Sequence, residues 1–233
     1  MNAIPAAPSA PPWPTVLDQL LDAVPAPEDV QDSRSATDSA AETALIVCGA
    51  LAREVLVLKQ RHAWDADVLG VPALLHNRPD RIPPAVLRRI REARGRYARV
   101  IVVYGDCGTG GGLDRALEAE GVERVAGPHC YEMYAGRQFS VLMDEAPGTF
   151  FLTDYMVRSF DHLVIEGLGL DRHPELRDDY FRNYTRALYL AQTEDPALHA
   201  RARWAADSIG LPLEVRSVGY GELESRLVER MHA

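Results

Sequence analysis

No apolar run in the chain approaches the roughly 20 residues that span a bilayer, so the sequence offers no transmembrane helix. The first residues also lack a basic segment followed by an apolar stretch. The expectation is a cytoplasmic protein with no membrane partner. Positive charge is in deficit: 25 Lys and Arg against 34 Asp and Glu leave a formal net charge of −9. Nonspecific binding of phosphate backbones needs clustered basic residues, so nucleic acid is not an expected partner. Cysteine is scarce as well. Three residues, Cys48, Cys107 and Cys130, form an odd set with no C-x-x-C pair, which argues against a disulfide framework and excludes a zinc ribbon or finger by spacing.

What is present is ordinary for a globular protein: nearly half the residues are apolar. Residues 1–42 are rich in Pro, Ala, Ser and acid and are expected to be disordered or loosely attached. Within them TVLDQLLDAV places Val16, Leu17, Leu20, Leu21 and Val24 on one helical face. From residue 43 to 233, short apolar runs alternate with amphipathic stretches. Strands are expected near 44–48, 66–71, 99–104, 122–126, 148–152, 186–191 and 213–218. Helices are expected near 50–60, 83–95, 112–120, 136–144, 153–170, 173–183, 196–209 and 221–231. This alternation predicts an α/β domain with a mostly parallel sheet and helices on both faces. A coarse likeness between the part ending near residue 127 and the remainder also fits two similar Rossmann-like lobes.

Each cysteine ends or follows an expected strand, and α/β sheets bind ligands outside the carboxyl ends of their strands. Three thiols at three such ends can converge, so Cys48, Cys107 and Cys130 are read as metal ligands. In YGDCGTGGGLD, Gly108, Gly110, Gly111 and Gly112 lie between a strand and a helix, where backbone N–H groups can meet an anion. The dinucleotide fingerprint fails there, because Leu113 occupies the place of its last glycine. In GPHCYEMYAG, His129 and Glu132 are candidate proton carriers beside Cys130, as is Asp106 beside Cys107. His76 and Arg78 in HNRPDRIPP, with Asp154 and Tyr155 in GTFFLTDYMVRSFD, are candidate substrate contacts.

These same motifs, VCGALAREV, YGDCGTGGGLD, GPHCYEMYAG and GTFFLTDYMVRSFD, resemble the DUF1638 family of uncharacterised bacterial and archaeal proteins, from about residue 43 onward. The resemblance implies no established activity, but it associates the chain with corrinoid-dependent methyl transfer. The layout of three distant thiols is also similar to that of quinolinate synthase, whose lobes each give one Cys to a [4Fe–4S] cluster. The leading expectation is a metal-dependent lyase or transferase, with a [4Fe–4S] cluster or zinc, acting on a small anionic metabolite. Two alternatives stand beside it. One is a cofactor-binding or accessory module serving a methyltransferase or corrinoid protein. The other is a metal-free enzyme with Cys107 as nucleophile and His129 or His76 as base.

Overall fold

A computed structural model describes residues 41–125, 127 and 129–232. The helix expected in TVLDQLLDAV lies outside these residues. The first lobe consists of β1 (Thr43–Cys48), α1 (Ala52–Arg61), β2 (Ala66–Val71), α2 (Ile82–Ala93), β3 (Arg99–Val103) and α3 (Gly112–Glu120). Next come α4 (Cys130–Ala135) and α5 (Gln138–Glu145). The second lobe holds β4 (Thr149–Thr153), α6 (Asp154–Arg158), α7 (Arg177–Phe181), β5 (Arg186–Ala191), α8 (Pro196–Ser208) and β6 (Leu213–Ser217). A last helix, α9 (Gly221–His232), returns to the first lobe.

The fold is mixed α/β with two parallel three-stranded sheets, ordered β2-β1-β3 and β4-β5-β6. After Thr43, β1 is apolar, and it is buried along its whole length, as a central parallel strand must be when helices cover both faces. Leu45, Ile46 and Val47 are fully buried there, each contributing about 1.5–3 kcal/mol on the usual burial scale. Pro83 and Pro84 occupy the first turn of α2, where missing N–H groups cost nothing. Thr153 caps α6 by accepting from the Met156 amide at 3.3 Å. Asp195 caps α8 by accepting from the Ala197 amide at 2.8 Å.

Two expectations change. The stretch expected as a strand at 122–126 joins β3 only through a bridge between Val102 and Arg124, closed by the Val125 amide on the Val102 carbonyl at 2.8 Å. The helix expected over 153–170 is broken into α6 and a π-helical turn at Asp161–Glu166. Because β1 has β2 on one side and β3 on the other, the chain reverses its winding at β1. The carboxyl ends of β1, β2 and β3 therefore open into one crevice, where a sheet of this kind places its ligand.

Candidate metal centre

Four chain segments reach this crevice. β1 ends at Cys48, and the turn after β2 carries His76. The loop after β3 carries Cys107, and α4 begins at Cys130. His76, Cys107 and Cys130 each offer a ligand atom, and these three atoms lie within 4.8 Å of one another. Among the described residues Cys48 does not complete that close set, although it is fully buried and acts electrostatically on both His76 and Tyr104. The expected three-thiol site is thus, in the structure, two thiols and an imidazole. His76, expected as a substrate contact, stands where the third sulfur was expected.

Local geometry holds each donor in place. The His76 ring uses Nδ1 to donate to the Ala73 carbonyl at 2.6 Å, which leaves Nε2 as the ring nitrogen offered to the cluster. Nε2 is buried and makes no hydrogen bond. The ring stacks on Tyr104, with centroids 5.8 Å apart. Cys107 has φ of +48°, a left-handed conformation that strains a residue with a side chain. Gly105 leaves the room it needs: a Cβ there would fall 2.9 Å from Cys107 Sγ and 3.1 Å from the Cys130 amide nitrogen. His129 caps α4, with Nδ1 accepting from the Tyr131 amide at 3.3 Å and lying 3.6 Å from Cys130 Sγ.

Charge is redistributed across this group. Interaction with Cys130, helped by His76 and opposed by burial, holds the Cys107 thiol down to about 4. The same partnership, together with burial, pushes Cys130 well above the ordinary thiol range. Burial alone would lower His76, but the nearby sulfurs of Cys107 and Cys48 outweigh it and push the imidazole up to about 11. Burial holds His129 below the ordinary histidine value. Without a metal, these shifts favour a proton on His76 and on Cys130 and a thiolate at Cys107.

Beside it lies a cavity of about 240 Å³ whose walls include His76, His129, Cys130, Tyr131, Tyr134 and Tyr155. A second cavity of about 390 Å³ shares Ala73, Leu74, Tyr155 and Leu163 with the first and adds Arg158 and His162. Tyr155 thus belongs to both, and burial raises its phenol to about 12. The Tyr134 hydroxyl is buried with no hydrogen-bond partner.

Other expected site residues are placed differently. The Asp106 carboxylate accepts from the Gly110 amide at 3.1 Å, the Gly111 amide at 2.8 Å and the Thr109 hydroxyl. The amides of the glycine loop that were expected to meet a bound anion thus meet the chain's own carboxylate, and the Gly112 amide donates to the Thr109 carbonyl at 3.1 Å. Gly108 is exposed at the tip of that loop. Arg78 and Glu132 line neither cavity. Asp154 is fully buried and accepts from Tyr189 Oη at 2.7 Å, the Gln192 amide at 3.0 Å, Thr193 Oγ1 at 2.6 Å and Arg158 at 3.3 Å. Its carboxylate ties the end of β4 to the end of β5.

One group escaped the sequence reading. Glu54 of α1 is buried 3.6 Å from Arg158, with Oε2 unpartnered. Burial raises its carboxyl, against the pull of a backbone hydrogen bond and of Arg158. The signal was legible: Glu54 lies on the helical face of Leu51, Val55 and Leu58, where an acid is out of place.

These observations define a two-lobed parallel α/β protein with a largely buried Cys₂His group, close enough to hold a metal ion, at the carboxyl ends of its first sheet. The family described as Protein of unknown function (DUF1638) matches residues 71–227, and the chain belongs to that family. The match takes in His76, Cys107 and Cys130 and begins after Cys48. No curated protein and no solved structure matches the chain.

Proposed function

We propose that the chain is a metal-dependent enzyme in which His76 Nε2, Cys107 Sγ and Cys130 Sγ hold one zinc ion and the fourth position opens to the adjoining cavity. The observation that carries this reading is the mutual approach of the three donors within 4.8 Å, combined with the His76 ring fixed through Nδ1 and its buried Nε2 unused. A tetrahedral zinc site sets its ligand atoms roughly 3.5–3.8 Å apart, so a small inward closure suffices. A ligand histidine anchored through its other nitrogen by a backbone carbonyl is the usual supporting arrangement. The mixed nitrogen and sulfur set favours zinc over a [4Fe–4S] cluster, whose protein ligands are most often thiolates.

Two thiolates and one imidazole give a zinc centre with no net charge. Such a centre accepts a further anionic ligand: a hydroxide, an alkoxide or a thiolate. The substrate in this reading is a small anionic molecule. Its reacting oxygen or sulfur would occupy the fourth position, and Nδ1 of His129, which lines the cavity, would take its proton on releasing the Tyr131 amide.

Metal analysis after anaerobic purification tests the proposal. The wild type should carry about one zinc per chain, and His76→Ala, Cys107→Ser and Cys130→Ser should each lose most of it while Cys48→Ser keeps it. Cobalt in place of zinc should give the absorption of sulfur-to-metal charge transfer. Iron with sulfide, lost in Cys48→Ser, would replace zinc by a cluster. A metal-free wild type would reject the centre and leave the Cys107 and His76 pair as nucleophile and base.

A further inference from the structure

β6 departs from the other strands. β1, β2, β4 and β5 are buried over nearly their whole lengths, as parallel strands covered by helices should be. β6 is exposed from Glu214 to Ser217, and Val215 keeps 41% of its surface. It is an edge strand, pairing with β5 on one side only.

The register shows which backbone groups are left over. The Ala187 amide donates to the Pro212 carbonyl at 2.9 Å, and the Val218 amide donates to the Ala191 carbonyl at 2.9 Å. With Ala187 opposite Leu213 and Tyr189 opposite Val215, residues 212, 214, 216 and 218 turn their backbone groups toward β5. Leu213, Val215 and Ser217 turn theirs outward. Among the described residues no other strand pairs with them.

We propose that this edge pairs with β6 of a second copy of the chain, antiparallel about a two-fold axis at Val215, to make a continuous six-stranded sheet across a dimer. The register about that axis is self-complementary. Val215 meets Val215 of the second copy as a hydrogen-bonded pair, Leu213 meets Ser217, and Glu214 meets Arg216 at the closer, non-hydrogen-bonded positions. Each half contributes one Glu and one Arg, so two opposite-charge pairs form across the junction. Edges protected against association often carry charge of one sign, which repels its own copy. Here the signs alternate and attract. Glu214 is also held by Arg186 at 3.0 Å, which orients it, while Arg216 makes no ion pair among the described residues. The α8 helix packs on β6 and flanks the junction on one face of the joined sheet.

Two substitutions test this on the full-length chain by sedimentation equilibrium and light scattering. Val215→Pro removes an outward N–H that the β5 ladder does not use, so the monomer keeps its circular dichroism and melting temperature. Dimerisation is lost. Arg216→Glu places Glu against Glu twice and weakens the dimer about tenfold or more, with a reduced effect in high salt. A wild type that is monomeric overturns the proposal, because the edge is then left to solvent or taken by another segment. So does a dimer that both substitutions leave intact, since its interface lies elsewhere.

Discussion

At the scale of single residues, the donor set depends on which side chain turns inward at each strand end. The sequence singled out the loops that meet and both thiols of the close set, because an isolated Cys after a buried strand is a strong mark in a chain with three of them. It took Cys48 as the third ligand and His76 as a substrate contact. Which of the two joins the close set depends on the turn after β2, where the Ala73 carbonyl orients the imidazole. The strained turn at Cys107 was hidden too, although its companion Gly105 stands in plain view. Gly105→Ala would push a methyl group against Cys107 Sγ and the start of α4. We expect a loss of roughly 1–3 kcal/mol in denaturant unfolding and at least about tenfold weaker binding of the proposed zinc.

Glu54 gives a second prediction at the same scale. Its folded carboxyl sits above the ordinary value of 4.5, so the folded state favours the protonated acid. The stability this provides is complete below that value and is lost as pH rises through the raised folded one. Glu54→Gln keeps a neutral side chain of the same shape. Thermal melts should show the variant matching the wild type near pH 4 and exceeding it at pH 7. A variant less stable at pH 7 would mean that the Arg158 contact outweighs burial.

At the scale of elements, the inner strands of both sheets were legible because burial on both faces writes them as largely apolar runs. Short helices were not. α4 has six residues and no apolar stripe long enough to show a period, and it forms because His129 caps it and its Met133 and Tyr134 are buried. The division of the 153–170 stretch follows from Arg201, which donates to the Val157 carbonyl at 3.2 Å. Asp154 joins two elements that no local pattern connects. Asp154→Ala would strip four donors of a buried acceptor, and urea unfolding should show a loss of about 3 kcal/mol or more. Asp154→Asn, which keeps an acceptor oxygen, should lose less.

At the scale of the whole molecule, periodicity pointed to an α/β chain and a likeness between its halves, and the structure resolves these as two parallel sheets with different strand orders. The return of α9 could not be read, since an amphipathic helix at the end of a chain does not say which core it covers. Leu223 and Leu227 are fully buried in the core of β1, β2 and β3, far from them in sequence. Leu227→Ala should therefore lower the stability of the first lobe by about 2–5 kcal/mol, measured by hydrogen exchange in β1. Protection in β5 should fall less.

That return has a mechanical consequence. The described chain passes from the core of the first sheet to that of the second between α4 and α5, whose Phe139, Leu142 and Met143 pack with Phe151, Leu188 and Leu190, and it returns between β6 and α9. The second body is thus suspended from a pair of tethers. Any widening of the crevice must be absorbed at those two points, around residues 136–137 and 217–221, which turns them into the spine of a book whose pages are the two sheets.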